Sequence, residues 1–197
     1  DGTGAFGLSA DGTRLLFTEV GPGGGSARSV YLRRLDGSAP FRIGGGRARG
    51  LSPDGAWALA TIRVPETALR LIPTGPGETR TLPRGTIAGY HWASFFPDGR
   101  RILVVGHEAG RPMRLFVQDR DGGPPRPLSP EGLRVPEPSA PVSPDGALVA
   151  ALPESGDSAP VFVEVAGGGV RPIEGLGPGD VPLSWTRDGR SLFVGEG

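Results

Sequence analysis

Residues 51–55 read Leu51-Ser52-Pro53-Asp54-Gly55, and the same five-residue figure returns along the chain. It appears as Leu8-Ser9-Ala10-Asp11-Gly12, Phe95-Phe96-Pro97-Asp98-Gly99, Val142-Ser143-Pro144-Asp145-Gly146 and Trp185-Thr186-Arg187-Asp188-Gly189. The five aspartates stand 43, 44, 47 and 43 residues apart. Each residue type has a conformational task. Proline presets φ, aspartate accepts a hydrogen bond from the backbone just ahead of it, and glycine takes the positive φ that closes a hairpin. Asp11-Gly12, Asp54-Gly55, Asp98-Gly99, Asp145-Gly146 and Asp188-Gly189 are therefore read as structural turns. The alternative, a ring of five functional carboxylates, asks the same side chains to leave the turns they build.

Working outward, an apolar residue stands three before every aspartate, and a short apolar run follows every glycine. The runs are Leu15-Leu16-Phe17, Trp57-Ala58-Leu59-Ala60, Ile102-Leu103-Val104-Val105, Leu148-Val149-Ala150-Ala151 and Leu192-Phe193-Val194. They are nearly continuous, the pattern of strands covered on both faces. A third strand is expected at Val30-Tyr31-Leu32, Leu69-Arg70-Leu71-Ile72, Leu115-Phe116-Val117 and Val161-Phe162-Val163-Glu164-Val165. A fourth and more polar one is expected near Arg42-Ile43, Arg80-Thr81-Leu82, Arg126-Pro127-Leu128 and Arg171-Pro172-Ile173. Two of these contain proline, which suits an edge strand. No helical periodicity of useful length occurs. Four antiparallel strands in each unit of about 40–50 residues make a propeller blade. The fold class is all-β, with blades at about 1–43, 44–83, 84–128 and 129–173 and a half-blade at 174–197, about four and a half in all.

The bulk composition agrees. Of 197 residues, 35 are glycine and 22 proline, and their regular placement marks turns in place of disorder. Twenty-one acidic residues balance 21 basic ones, so no global field attracts nucleic acid or an anionic membrane. Every basic residue is arginine, and asparagine is also missing. Codons for Lys and Asn are AT-rich, which points to a GC-rich bacterial genome. Without lysine there is no phosphate-loop lysine and no Schiff base. Without cysteine there is no thiol catalysis, disulfide or thiolate metal site. No apolar run approaches the ~20 residues of a membrane span, so no direct membrane insertion is expected.

Ser-Pro-Asp-Gly between strands one and two, with Asp-Gly-Gly (Asp121-Gly122-Gly123) between strands three and four, resembles the TolB-like repeat, a relative of the WD-type propellers. Residues 92–101, Trp92-Ala93-Ser94-Phe95-Phe96-Pro97-Asp98-Gly99-Arg100-Arg101, match it best. Ala10, Phe96, Thr186 and Arg187 depart from the repeat's Ser-Pro. The resemblance covers the whole chain and implies a binding or sensing module, with six or more blades in the complete ring. The chain is therefore expected to be part of a longer protein. The resemblance implies three settings: an envelope docking protein, the sensor propeller of a bacterial receptor-type Ser/Thr kinase, or the propeller of a prolyl-oligopeptidase-like hydrolase. The first two place it on the periplasmic or extracellular side of a bacterial membrane; cytoplasmic residence is the alternative.

Function on such a scaffold is expected on the loops opposite the Asp-Gly turns, with a protein or small polar ligand as partner. Loops between second and third strands are expected at about 20–29, 63–68, 106–113 and 153–160, and interblade loops at about 44–49, 83–90, 129–139 and 174–181. They carry Arg28, Arg47, Arg49, Arg63, Arg84, Arg134, Glu137, Glu154, Asp157 and Asp180. The third blade is richest: Tyr90, His91, His107, Glu108 and Arg111 are the candidate binding residues. Tyr90, Trp92 and Trp185 form a possible aromatic patch. His91, His107 and Glu108 lack the spacing of a metal motif, and no cofactor is expected. Asp119-Arg120-Asp121-Gly122 begins like a calcium loop but has Pro130 where the closing Glu belongs, so it is read as a turn. The stretch Gly21-Pro22-Gly23-Gly24-Gly25-Ser26 lacks the phosphate-loop pattern and is read as a flexible loop. No Gly-x-Ser-x-Gly elbow or kinase motif is present, so this segment is not expected to catalyse a reaction.

Overall fold

The computed structural model of the 197-residue chain describes residues 4–20, 28–63, 67–137 and 141–196. The glycine-rich stretch at 21–26 lies outside them. The first sheet is β1 (Gly4–Leu8), β2 (Arg14–Val20), β3 (Arg28–Arg34) and β4 (Phe41–Gly45). The second is β5 (Arg47–Leu51), β6 (Trp57–Ile62), β7 (Ala68–Pro73) and β8 (Arg80–Leu82). The third is β9 (Ile87–Phe95), β10 (Arg101–Glu108), β11 (Met113–Asp119) and β12 (Gly122–Pro127). The fourth is β13 (Leu133–Arg134), β14 (Leu148–Pro153), β15 (Val161–Glu164) and β16 (Val170–Pro172). A last hairpin pairs β17 (Asp180–Trp185) with β18 (Leu192–Glu196). Every pairing is antiparallel between consecutive strands, and the described residues include no helix.

The sheets stack as blades, with the first strands neighbouring one another: β1 lies against β5, and β5 against β9. The apolar core is accordingly divided into slabs between sheets. Leu16, Val30 and Leu32 meet Ala58, Ala60 and Ile72 between blades one and two. Leu59, Leu69 and Leu71 meet Ile102, Val104 and Phe116 between blades two and three. Leu103, Val105 and Leu115 meet Val149, Ala151 and Val163 between blades three and four. This is why β6 and β10 read as unbroken apolar runs: each faces a slab on both sides, while β14 faces one through Val149 and Ala151. The flanking sheets differ. Leu8, Leu35 and Phe41 on the first and Leu183, Phe193 and Val194 on the last hairpin are exposed. Among the described residues these sheets have a neighbour on one side only. The last hairpin is held by Trp185, which stacks on Phe162 at 5.5 Å and donates its indole N–H to the Pro141 carbonyl.

The five turns share one construction. The glycines adopt φ between 65° and 70°, and each donates its N–H to the carbonyl three residues back at 2.8–2.9 Å. The hydroxyls of Ser9, Ser52, Ser143 and Thr186 donate to their own aspartates at 2.5–2.6 Å. The same hydroxyls accept the N–H of the residue five further on at 2.9–3.0 Å. The aspartate oxygens accept one further N–H from Thr13, Ala56, Ala147 and Arg190. Thr186 thus fills the serine role despite its difference in sequence. Phe96 cannot, and blade three finds another solution. Arg101 donates to Asp98 at 2.6 Å from its side chain and stacks over the fully buried Phe96 ring at 4.6 Å.

All four interblade stretches expected as loops contain strand, since β9 begins at Ile87 within 83–90 and β17 at Asp180 within 174–181, and the other two hold strand as well. β4 ends at Gly45 and β5 begins at Arg47, with Gly46 alone between them at φ 113°. A side chain at Gly46 would collide with Ile62 and the Thr61 carbonyl, so only glycine makes this passage. In blade four the first strand starts within 129–139: Leu133 and Arg134 already pair with Pro153 and Leu152, because Leu133 and Val135 belong to the adjoining slab. The strand resumes at Val142, which bridges to Val149.

Candidate functional site

Antiparallel order places the Asp-Gly turns and the third-to-fourth turns on one face of the array. The second-to-third loops and interblade links lie on the other. Hydrogen bonding already explains the first face. Asp11 is lowered to about 2, chiefly by the Ser9 hydroxyl and then by Thr13; Asp54, Asp145 and Asp188 are lowered by the equivalent donors. Asp119 accepts the N–H of Asp121, as in a hairpin turn. Attention therefore falls on the loop face.

A bulge in the first strand of four sheets aims one residue out of the ladder. In blades one, two and five it leaves Phe6, Arg49 and Leu183 unpaired, each five residues before the turn aspartate. In blade three it sits two residues earlier and frees His91. Bulges of this kind re-aim side chains. Arg49 is the unexpected product. Read as a solvated loop charge, it is 1% exposed. Its Nε donates to Thr61 Oγ1 at 3.0 Å, and its guanidinium lies 5.2 Å from the centroid of the Trp92 ring. Nη1 and Nη2 are buried with no hydrogen-bond partner. Burial lowers its pKa to about 10, helped by Arg47, Arg63 and Arg28 and opposed by Glu137, so it remains a cation at neutral pH.

His91 and His107 meet within blade three, Nε2 to Nδ1 at 3.1 Å. The rings tilt by 59° with centroids 5.2 Å apart. One nitrogen donates and the other accepts, so the contact needs at least one neutral ring. Burial, then His107 and Arg63, lower the pKa of His91, while Glu137 and Glu154 oppose the shift. Arg63 and Glu137 thus act on both His91 and Arg49, which marks the two as parts of one electrostatic site. The His107 ring lies over Gly89, where any side chain would collide with it.

The other candidates separate from this pair. Glu108 turns toward Arg114 at 3.7 Å, Arg111 pairs with Glu131 at 2.7 Å, and Arg114 donates two hydrogen bonds to the Ser129 carbonyl. These residues form an ionic cluster around the loop between β10 and β11. Alternation along β10 explains the division, since adjacent residues of a strand point to opposite sides. Tyr90 is no surface contact. It is 3% exposed in the slab between blades two and three, and burial pushes its phenol up to about 12. Trp92 is buried and Trp185 covers Phe162, so the three aromatics form no patch. Among the described residues no group of three or more His, Asp or Glu is arranged to hold a metal, and Glu108 faces away from the histidines. Sequence reasoning missed the burial of Arg49, but a signal was present. Counting five back from each turn aspartate gives Phe6, Arg49, Ala93, Ala140 and Leu183, a single charge in an apolar column.

No protein-family profile matches the sequence, and no curated protein matches it. Solved structures do. TolB from Acinetobacter baumannii superposes with a TM-score of 0.67 at 22% identity, covering 84% of this chain and 44% of TolB. Oligogalacturonate lyase from Vibrio parahaemolyticus gives 0.73 at 17%, covering 95% of this chain and 56% of the lyase. A prolyl endopeptidase gives 0.61 at 18%, covering 92% of this chain and 29% of the peptidase. The chain spans less than two thirds of each of these three proteins. At such identities the likeness concerns architecture, and by its architecture the chain is a run of blades of a TolB-like β-propeller.

Proposed function

We propose that this propeller segment is a non-catalytic binding or sensing module of a bacterial envelope protein. It engages a protein or small polar ligand on its loop face. The observation that supports this reading most is the asymmetry of the two faces. The turn carboxylates are engaged by their own turns, whereas the loop face gathers Arg49, Arg63, His91, His107 and Glu137 around two bulges. Balanced charge and the absence of nucleic-acid motifs favour a protein or polar small molecule over nucleic acid. The likeness to TolB favours the periplasmic side of the envelope.

The test is a binding screen of the full chain against arrayed short peptides and a panel of soluble sugars. The pair of changes His91→Ala and His107→Ala should weaken any ligand by about tenfold or more, with the melting temperature nearly unchanged. Ligands bound equally well by that variant would remove the site from the loop face. The likeness to a prolyl endopeptidase favours a second reading, a propeller that gates substrate access to a hydrolase domain encoded beyond this segment. A Gly-x-Ser-x-Gly elbow in the adjoining reading frame would decide for it; a kinase domain and membrane helix would decide for the sensor.

A further inference from the structure

We infer that the loop-face site is built around a receptor for one oxyanion group, a carboxylate or phosphate, held by Nη1 and Nη2 of Arg49. This rests on the binding reading above and gives that ligand its chemistry. A guanidinium carries five N–H donors, four of them on the two outer nitrogens. Only Nε is satisfied, by Thr61. A buried charged donor left without a partner is costly, and native interiors rarely contain one. Its natural partner is planar and anionic, because the fork matches two oxygens of a carboxylate or phosphate at once.

The surroundings select for sign as well as shape. Among the described residues the largest charge effects on Arg49 come from Arg47, Glu137, Arg63 and Arg28, three cations to one acid. Glu137 is exposed and makes no ion pair with Arg49 within 4 Å. A cationic ligand would be repelled here, and an anion is short of competitors. Geometry is fixed in advance: Thr61 holds one edge of the guanidinium and the Trp92 ring lies against it. With the fork held, little side-chain freedom remains to be lost on binding. At 1% exposure the outer nitrogens are covered, so an oxyanion reaches them only as the neighbouring side chains yield, which restricts the inference to one small oxyanion group.

The experiment titrates the full 197-residue chain with sodium acetate and, separately, inorganic phosphate, with chloride balancing ionic strength. Tryptophan emission and melting temperature are followed together. Wild type should respond saturably to at least one anion, and the stronger responder tells whether carboxylate or phosphate chemistry is preferred. Arg49→Met should weaken that response by about tenfold or more, since it keeps an unbranched apolar stem and removes the donors. Arg49→Lys should weaken it by several-fold, keeping charge and losing the fork; it also serves as the comparison if Arg49→Met fails to fold. Equal responses in wild type and variant, or no saturable response to either anion, would overturn the inference and leave the outer nitrogens to water. A peptide or sugar that loses affinity in the His91→Ala, His107→Ala variant but not in Arg49→Met would leave the loop-face reading standing and sink the oxyanion receptor alone.

Discussion

The two faces of the array are made by different rules. On the turn face, one solution is repeated four times and varied once, in blade three, and each turn aspartate finds its partners within a few residues. On the loop face nothing repeats. Polar groups there depend on residues from other strands and, for Arg49 against Trp92, from another blade, and some remain without a partner. Local hydrogen bonding makes the first face robust to sequence change. The second is free to diversify, and its unpaired donors have the character of a recognition surface.

The largest test of this contrast is made where the turn face itself departs from its rule. Phe96→Ser restores the repeat's hydroxyl in blade three but empties a fully buried aromatic position. It should cost about 3–5 kcal/mol in urea unfolding, the cost of deleting a buried phenyl ring. A cost below about 1 kcal/mol would mean that the turn's hydrogen bonds govern this face and packing does not. Next comes Ser52→Ala. Ser52 is 1% exposed and both donates to Asp54 and accepts from Trp57 N–H. Its loss should cost about 1–2 kcal/mol and leave ligand binding unchanged. A binding defect would erase the division between the faces.

Tyr90→Phe probes the floor of the loop face and should do the opposite. The buried hydroxyl has no partner, so its removal should be neutral or stabilise by less than about 1 kcal/mol. A clear loss would reveal a partner for the phenol. The smallest effect lies in pH. His91 has a lowered pKa in the fold, so the unfolded chain binds more protons at mildly acid pH, and stability falls as pH drops below about 6.5. The turn aspartates act in a lower window. Their stabilisation is complete above the ordinary carboxylate pKa of 3.8 and is lost as pH falls toward about 2, the value for Asp11. His91→Gln should flatten the upper limb of a stability-against-pH curve and leave the lower one. Both limbs flattened together would show the faces to be coupled.

Much of the architecture was legible because it rests on local rules. The Asp-Gly spacing fixed the blade period, and the unbroken apolar runs at 57–60 and 102–105 announced strands covered on both faces. The site was legible only in part. The meeting of His91 and His107 was legible because hairpin pairing around Asp98 brings them to one rim. Tyr90 and Arg49 were misplaced. A tyrosine at the head of a strand gives no local sign of which slab it will enter, and Arg49 looked solvated because it follows Gly44-Gly45-Gly46-Arg47-Ala48, a stretch of loop-like composition.

By itself, then, the sequence determined the repeat, the strand order within each blade and the self-contained turns, since each depends on residues near one another along the chain. The tertiary structure alone decided that a bulge turns Arg49 onto Trp92, that Glu108 leaves the histidines for Arg114, and that a strand begins at Arg47. Those outcomes depend on pairing with strands and blades distant in sequence, which settles which polar groups are covered and which find a partner.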